Sequence, residues 1–341
     1  MRFLILAFAL LFAGPALAQA DLQDQAKAQQ ERRVTQPGNN APVWREVRKE
    51  AQEHYTSVKG REAGVLVQSA GETWRRIRNG PVTFYGGWLV VAVLLGIAAF
   101  YFAKGPIKLH DKPSGRMIQR FSTPERMVHW SVAISFLILA ISGLIMLFGK
   151  HILLPIIGYT LFAWLTALGK NLHNFVAPFF MITVVIMIVM WARDNLWKSY
   201  DWHWLSRMWA FFARGEHVPS GRFNAAEKLW FWLGVVLLSV VMIWSGLILL
   251  FPNFDQTRAT MQEAWIWHAT AAIFYIVAAL GHIYIGTIGV EGAYQNMREG
   301  VTDEVWAREH HELWYNEVKS GKAGAAGGAI PAGAPHMREK S

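Results

Sequence analysis

The chain has 341 residues, of which 53% are hydrophobic and 17% charged, and it contains 17 tryptophans. This composition is a poor match to a soluble globular protein and favours a membrane protein. The chain has no cysteine, which excludes disulfides, thiolate-bound iron–sulfur clusters, covalently attached c-type haem and cysteine zinc sites within it, so a redox centre here would use histidine or methionine. The net charge of +9 fits lysines and arginines flanking membrane spans better than nucleic-acid binding, and no nucleic-acid partner is expected.

The first residues have the layout of a secretory signal. One early arginine and an apolar stretch are followed by the small-residue sequence "ALA", which ends at Ala18. Residues 1–18 are therefore predicted to be a cleaved signal peptide. Residues 19–81 are polar and rich in Gln, Glu, Lys and Arg, and we predict that they form an extracytoplasmic segment.

Five long uncharged stretches follow this segment, and each meets the requirement of about 20 residues for crossing the hydrocarbon core of a bilayer. They are Val82–Ala103, Trp130–Gly149, Asn171–Ala192, Leu229–Phe251 and Ala264–Val290. The sequence therefore predicts an all-α integral membrane protein with five transmembrane helices.

A further uncharged stretch, Ile152–Gly169, could form a sixth span, and the charges of the loops decide against it. With five spans, Lys104–Arg126 and Arg193–Lys228, which carry six lysines and arginines each, lie on the same side of the membrane, as the positive-inside rule requires. A sixth span would place them on opposite sides. We therefore expect Ile152–Gly169 to lie along or partly in the extracytoplasmic interface, with the N-terminal segment outside and the C-terminus in the cytoplasm.

Two histidines in the last span point to a redox function. His268 and His282 are fourteen residues apart, nearly four helical turns, so they share one helix face and lie about 21 Å apart along its axis. His173 opens the third span at the depth of His268, and His129 opens the second span at the depth of His282. Ionisable residues in membrane helices usually face the bundle interior, where facing helices build cofactor sites. Two bis-histidine pairs stacked across a bilayer suit two b-type haems, because neutral imidazole binds haem iron without covalent attachment of the porphyrin.

Other interpretations of these histidines stay open. A single histidine at a membrane interface is more often a hydrogen-bonded helix-end residue, and a zinc site is less apt because the two pairs are too far apart to share one ion. His151, at a helix end, is a rival to His173 as a haem ligand, with a less favourable spacing. The remaining histidines fall in polar segments, where we expect solvent exposure: His54, His110, His203, His217, His310, His311 and His336.

Several motifs resemble those of a known family. The sequences "RFSTPERMVHW", "NLHNFVAPFF", "GRFNAAEKLWFW" and "IWHATAAIFYIVAALGHIYIG" are similar to the membrane cytochrome b (gamma) subunit of respiratory formate dehydrogenase, and the resemblance covers Arg120–Glu317. It implies a four-helix transmembrane dihaem cytochrome b bundle, to which Val82–Ala103 adds one extra N-terminal transmembrane helix.

The resemblance also implies a division of labour between subunits. A molybdenum or tungsten catalytic (alpha) subunit would oxidise formate, an iron–sulfur (beta) subunit would pass electrons on, and this chain would deliver them through two haems b to a quinone. His173 and His268 would bind the outer haem iron, and His129 and His282 the inner one. The chain is then an electron-transfer subunit that contacts membrane lipid, and formate oxidation itself takes place in a partner.

The expected organisation of the chain has six parts in a protein of the bacterial inner membrane. They are a signal peptide (1–18), an extracytoplasmic segment (19–81), an extra transmembrane helix (82–103), a cytoplasmic linker (104–128), a four-helix dihaem cytochrome b domain (129–290) and a cytoplasmic C-terminal segment with a disordered tail (291–341).

The loop around Asn224 is the candidate quinone site. In the family that the chain resembles, the matching loop lies beside the inner haem and hydrogen-bonds the quinone, whereas Ala226 and Glu227 stand here where some members have glycine and glutamine. Asn224 could hydrogen-bond a quinone carbonyl, and Glu227 could relay protons. Asn224 is also a favourable N-cap for a helix beginning at about Ala225, and the two roles are compatible.

Three other functions remain as alternatives. The chain could be the cytochrome b subunit of a hydrogenase or of another molybdoenzyme, which have similar histidine layouts. A transporter or proton channel with histidine relays is disfavoured, because the spans show no inverted pair of broken helices and hold no acidic residues in their interiors. A plain membrane anchor would leave the depth-matched histidines unexplained.

Overall fold

The computed structural model describes residues 70–254 and 256–322, together with the isolated position Lys27. The predicted signal peptide, the predicted extracytoplasmic segment up to residue 69 and residues 323–341 of the predicted tail lie outside the described residues. Their expected roles therefore stay predictions.

Five helices of the described chain are long and apolar enough to cross a membrane, which confirms the predicted number of spans and the all-α fold class. They are α1 (Gly71–Lys104), α2 (Thr123–Ile152), α3 (Leu154–Trp191), α5 (Ala225–Leu250) and α6 (Arg258–Gly289), with the amphipathic helix α4 (Ser199–Arg214) between α3 and α5. The helix that contains the first predicted span already begins at Gly71, so residues 71–81 continue it rather than preceding it as a separate segment.

The expectation that Ile152–Gly169 lies along or partly in the extracytoplasmic interface stays a prediction, and the structure shows that most of this stretch is helical. Residues from Leu154 belong to α3, the helix that also carries His173. The one break is Gly158, whose φ of 74° lies in the left-handed region that favours glycine.

Residues 142–172, the end of α2 and the start of α3, form a compact unit. Within it, Gly149 of α2 packs against the Phe162 ring of α3 so closely that a Cβ would lie 2.8 Å from the ring. Ser142 lies near Gly169, which makes this unit an antiparallel helical hairpin with its turn near Leu153.

Within the described residues, the other unit contains residues 70–141, 173–254 and 256–322, and its core is built by segments of four membrane helices. Side chains of α2, α3, α5 and α6 and of the loops that precede α2 and α5 meet there, which is the arrangement of a four-helix bundle. The buried core residues are Phe121, Val132, Phe180, Val184, Met187, Trp191, Phe223, Phe231, Val235 and Tyr275.

The extra helix α1 packs along α6, the helix that carries two of the candidate ligands. A Cβ on Gly86 would lie only 2.3 Å from the Ile273 side chain, so this glycine permits a close approach of the two helices. Near the start of α1, the Arg78 guanidinium lies 5.3 Å from the ring centroids of both Trp74 and Trp265. Cation–π contacts of this kind stabilise a helix pair at a polar boundary.

The linker before α2 and the segment after α6 pack against each other. Strand β1 (Met117–Gln119) pairs antiparallel with β2 (Val301–Asp303), and β2 lies between the short helices α7 (Ala293–Glu299) and α8 (Glu304–His310). Helix α9 (Glu312–Lys319) follows and contributes Trp314 to a small core with Ile118 and Ala307.

Glu304 holds together the region of β1, β2, α8 and α9, and its charge predicts that the stability of this region depends on pH. Its carboxylate accepts a hydrogen bond of 2.8 Å from the Tyr315 hydroxyl and forms ion pairs with Lys319 and Arg116. Lys319 above all, with Tyr315 and Arg116, holds the pKa of Glu304 down to about 2, against 4.5 ordinarily. The stability that this carboxylate contributes is therefore fully present above about pH 4.5 and is lost as the pH falls towards 2.

We expect Glu304→Gln to lower the free energy of unfolding at pH 7 by about 1–3 kcal/mol. We also expect the free energy of unfolding of this variant to fall less between about pH 4.5 and 3 than that of the wild type. Equilibrium unfolding in detergent, followed by tryptophan fluorescence at several pH values, measures both effects. Glu312→Gln, on the exposed side of α9, is the matched control. An acid decline in Glu304→Gln equal to that of the wild type would contradict the assignment.

Candidate haem centre

The four candidate histidines form two pairs. The ring centroids of His173 on α3 and His268 on α6 are 6.1 Å apart, and those of His129 on α2 and His282 on α6 are 6.3 Å apart. Because both pairs share α6, the fourteen-residue spacing places them about 21 Å apart along this helix. The structure thus brings together the histidines that the sequence matched by depth.

The spacing within each pair suits two axial ligands of one iron. Two imidazoles that bind a metal from opposite sides, with metal–nitrogen bonds of about 2 Å, have ring centres roughly 6–6.5 Å apart. The observed 6.1 and 6.3 Å agree with this value. The Nδ1 atom of His129 is buried and has no hydrogen-bond partner in the described part of the chain, a condition that calls for a bound group. The residues present therefore fit a bis-histidine haem site.

Hydrogen bonds orient the His173–His268 pair. Ser245 of α5 donates to the backbone carbonyl of Val241 at 2.6 Å, so its oxygen accepts from Nδ1 of His268 at 3.1 Å. His173 hydrogen-bonds the backbone carbonyl of Leu139. A proton fixed on Nδ1 of His268 leaves its Nε2 lone pair for the metal, which is the usual arrangement around metal-bound imidazole. Sequence reasoning missed Ser245, because its partner lies on another helix.

Aromatic rings orient the His129–His282 pair. The indole of Trp230 stacks on the His282 ring at 4.9 Å with an interplanar angle of 14°. Gly234 makes room for this indole, since a Cβ there would lie 2.3 Å from it. The Trp191 ring lies 6.2 Å from that of His129. Both tryptophans were missed in the sequence, where they are two among 17.

The loop before α5 contains a complete capping box. Oδ1 of Asn224 accepts from the backbone N–H of Glu227 at 3.0 Å, and the Glu227 carboxylate accepts from the Asn224 N–H at 2.8 Å. This confirms the N-cap role of Asn224. The amide nitrogen Nδ2 of Asn224 pairs with no group of the described residues, so it remains a free donor. Ala226 beside it is half-buried.

Glu227 is held by a buried arginine. Nη2 of Arg120 donates to the Glu227 carboxylate at 3.1 Å and to the Arg222 carbonyl at 2.7 Å. Burial of the guanidinium lowers the pKa of Arg120, and the Glu227 carboxylate opposes this shift. The Glu227 side chain is thus fixed at the loop by one cationic partner and by the helix cap.

A chain of aromatic contacts connects this loop to the His129–His282 pair. The rings of Phe223 and Trp191 are 5.8 Å apart, and Trp191 in turn lies beside His129. Nε1 of Trp191 donates to Glu125 at 3.0 Å, and Arg222 donates to the same carboxylate at 2.7 Å. The loop and the histidine pair therefore belong to one packed region.

The other histidines differ from one another in exposure. His151 and His203 are exposed, as are His110 and His217. The expectation of exposure is wrong for His311, whose ring is 1% exposed and hydrogen-bonds the Gly221 carbonyl at 2.7 Å through Nδ1. Its burial lowers the pKa of His311 far below the usual value of 6.5. A polar sequence around a residue does not reveal that another segment will cover it.

Comparison with known proteins decides the family. Residues 120–300, more than half of the chain, match the family model described as prokaryotic cytochrome b561. The chain belongs to this family. All four candidate histidines and the Asn224 loop lie inside the matched region, whereas α1 lies outside it. The protein is therefore a multi-pass membrane cytochrome b, a class that binds haem b, with one helix in addition to the matched domain.

Three relatives illustrate the similarity. The cytochrome b556(fdo) subunit of formate dehydrogenase from Escherichia coli is 32% identical over 205 residues, which cover 59% of this cytochrome b and 93% of the relative. The nitrate-inducible cytochrome b556(Fdn) subunit from the same organism is 28% identical over 218 residues, or 61% and 94% of the two chains. The formate dehydrogenase cytochrome b556 subunit of Haemophilus influenzae is 24% identical over 210 residues, or 59% and 83%. The resemblance to formate dehydrogenase cytochrome b subunits is thereby confirmed.

Proposed function

We propose that this cytochrome b is the membrane subunit of a formate dehydrogenase, where it anchors the complex and conducts electrons between an iron–sulfur partner and a quinone. A separate subunit with molybdenum or tungsten would oxidise formate. The observation that carries the proposal is the pair of bis-histidine sites, with ring centroids 6.1 and 6.3 Å apart, on two levels of α6. The similarity to three formate dehydrogenase subunits supports formate as the source of the electrons.

In this proposal each histidine pair holds one haem b. His173 and His268 hold the outer one, and His129 and His282 hold the inner one. Bound haem supplies one-electron oxidation and reduction with little change in ligand geometry. The protein's part is to fix the imidazoles: Ser245 keeps the proton of His268 on Nδ1, and the Trp230 indole stacks on the His282 ring.

The proposed orientation places the His129–His282 pair towards the cytoplasm. The stretches Lys104–Arg126 and Arg193–Lys228 carry six lysines and arginines each and belong on the cytoplasmic side. The segment before α1 would then be periplasmic, behind a cleaved signal peptide, and the C-terminal segment from residue 291 cytoplasmic. The iron–sulfur partner would dock at the periplasmic end, near the His173–His268 pair.

A quinone site at the Asn224 loop completes the proposal. Nδ2 of Asn224 has no partner among the described residues and can donate to a quinone carbonyl, while Oδ1 keeps the helix cap. Ala226 beside it is half-buried, and Glu227, whose carboxylate accepts the Asn224 N–H, is the candidate for proton transfer. Electrons that enter from the periplasm and protons taken from the cytoplasm would together move negative charge inward and contribute to the membrane potential.

Reduction of the haem by different donors tests the proposal. In the complex purified through a tag on this chain, formate is expected to reduce haem b, and a soluble quinone is expected to reoxidise it. The haem b absorption bands report both changes. Reduction by hydrogen but not by formate would overturn the proposal in favour of a hydrogenase subunit. A haem that neither donor reduces would point to another molybdoenzyme.

The variant Asn224→Ser separates the cap from the quinone contact. Serine caps a helix as well as asparagine does, but it has no amide donor. We expect a rise in the KM for quinone of about 3- to 10-fold, the value of one hydrogen bond, with unchanged haem content. Steady-state quinone reduction measures the KM. The control is Asn174→Ser on the exposed surface of α3, because the alternative Asn195 is buried. An unchanged KM would place the quinone elsewhere.

A further inference from the structure

Three side chains with metal-binding atoms converge outside the haem centre. They are His110 in the linker after α1, His217 in the loop after α4 and Glu309 in α8, and one ligand atom of each lies within 4.8 Å of the others. About one hundred residues separate each member from the next along the chain. The fold therefore assembles a cluster that no local sequence motif announces.

The distances within the cluster are too long for hydrogen bonds and suit a shared ion. Nδ1 of His110 is 3.5 Å from Oε2 of Glu309, and Nε2 of His217 is 3.7 Å from the same oxygen. A hydrogen bond between nitrogen and oxygen spans about 2.7–3.2 Å. In a tetrahedral zinc site with bonds of 2.0–2.2 Å, ligand atoms lie about 3.3–3.6 Å apart. The three side chains thus come together without hydrogen bonds between them, and the two imidazole rings pack edge to face with their centroids 4.5 Å apart.

Hydrogen bonds already orient these groups as metal ligands. Nδ1 of His217 lies 2.7 Å from the backbone carbonyl of Glu309 and donates to it, so the lone pair is on Nε2, the atom that faces the cluster. The Glu309 carboxylate accepts the backbone N–H groups of His110 at 3.0 Å and Asp111 at 2.9 Å. Such bonds fix the tautomer and the carboxylate position before an ion arrives.

The exposure of the three residues permits a cation to enter. The side chain of Glu309 is 4% exposed, whereas those of His110 and His217 are 54% and 45% exposed. A fourth ligand position would face solvent, where water can fill it. Two imidazoles and one carboxylate favour zinc and similar transition metals over magnesium and calcium, which prefer oxygen ligands alone.

We propose that His110, His217 and Glu309 form a binding site for a divalent transition metal of the zinc type. The ion would add a further link between the linker after α1, the loop after α4 and helix α8, which hydrogen bonds to Glu309 already join. The ion would stabilise the packing of these three segments, independently of the haem centre and of the proposed electron transfer.

Zinc binding to the haem-loaded protein tests the site. After chelator treatment, equilibrium dialysis with Zn²⁺ followed by elemental analysis is expected to give one more zinc ion per chain in the wild type than in His110→Ala. X-ray absorption at the zinc edge is expected to show nitrogen and oxygen ligands at about 2.0–2.2 Å. Zinc is also expected to raise the melting temperature of the wild type and not that of His110→Ala, because an ion that binds only the folded state stabilises it.

Two further variants distinguish the loss of a metal ligand from the loss of the fold. His110→Ala retains the backbone N–H that donates to Glu309, whereas Glu309→Gln keeps an acceptor oxygen for only one of the two N–H groups of His110 and Asp111. Loss of zinc in both variants with normal haem content therefore indicates lost ligands and not lost fold. His203→Ala, an exposed histidine of α4 outside the cluster, is expected to bind zinc like the wild type. Equal zinc binding by the wild type and His110→Ala, or equal loss in His203→Ala, would overturn the proposal.

Discussion

Alanine in place of His268 or His282 is expected to lower the haem b content of the purified chain from about two to about one per polypeptide. Each residue faces one partner, His173 or His129, so each variant leaves the other pair intact. Formate-driven quinone reduction should fall at least about 100-fold in both, since even outer partners of metal ligands change affinity or activity by 10- to 100-fold.

Methionine at His268 distinguishes a ligand from a merely structural histidine. A Met/His axial pair holds haem at a higher potential than two histidines do, so His268→Met is expected to retain a haem with a raised midpoint potential. Redox titration followed by optical spectra measures this, and His203→Ala should leave both haems unchanged. Two unaltered haems in His268→Ala, or a changed spectrum in His203→Ala, would contradict the ligand assignment.

Replacement of Lys228 by methionine is expected to lower the free energy of unfolding by about 3–5 kcal/mol. Lys228 is 1% exposed and Asp201 is fully buried, and Nζ of Lys228 contacts Oδ2 of Asp201 at 2.7 Å and the Leu196 carbonyl at 3.1 Å. Removal of the lysine leaves a buried carboxylate without its cation, which costs more than the pair contributes. Equilibrium unfolding in detergent measures the loss.

A second substitution at Asp201 isolates the cost of the unpaired charge. Asp201 also accepts the backbone N–H of Lys198 at 2.7 Å at the start of α4, and asparagine can keep this bond. The double variant Lys228→Met/Asp201→Asn is therefore expected to be more stable than Lys228→Met alone. A loss below about 1 kcal/mol in the single variant would contradict a buried ion pair, because exposed pairs have that value.

Much of the fold could be predicted from the sequence because membrane spans depend on local composition. Twenty uncharged residues in a row suffice to place a span, and loop charge correctly limited the number to five. Helical periodicity and depth also paired His129 with His282 and His173 with His268, since the faces and levels of straight helices follow from residue spacing. The cap at Asn224 is equally local.

Features that depend on contacts between distant segments could not be predicted in this way. Loop charge could not show that most of Ile152–Gly169 belongs to α3, because it indicates how often the chain crosses the membrane and not where each helix begins. Nor could it show that Ser245 lies beside His268, or that His311 is buried. The cluster of His110, His217 and Glu309 is the clearest case, since three polar segments with no common motif meet only in the folded chain.

Haem stoichiometry tests the central claim most directly. The wild-type chain, purified in detergent within its complex, is converted to the pyridine haemochrome, and haem is compared with protein after subtraction of haem in any other subunit. The two histidine pairs predict a b-type spectrum and about two haems per chain. A value of one, or no haem in a correctly assembled complex, would contradict the assignment of both pairs as haem sites.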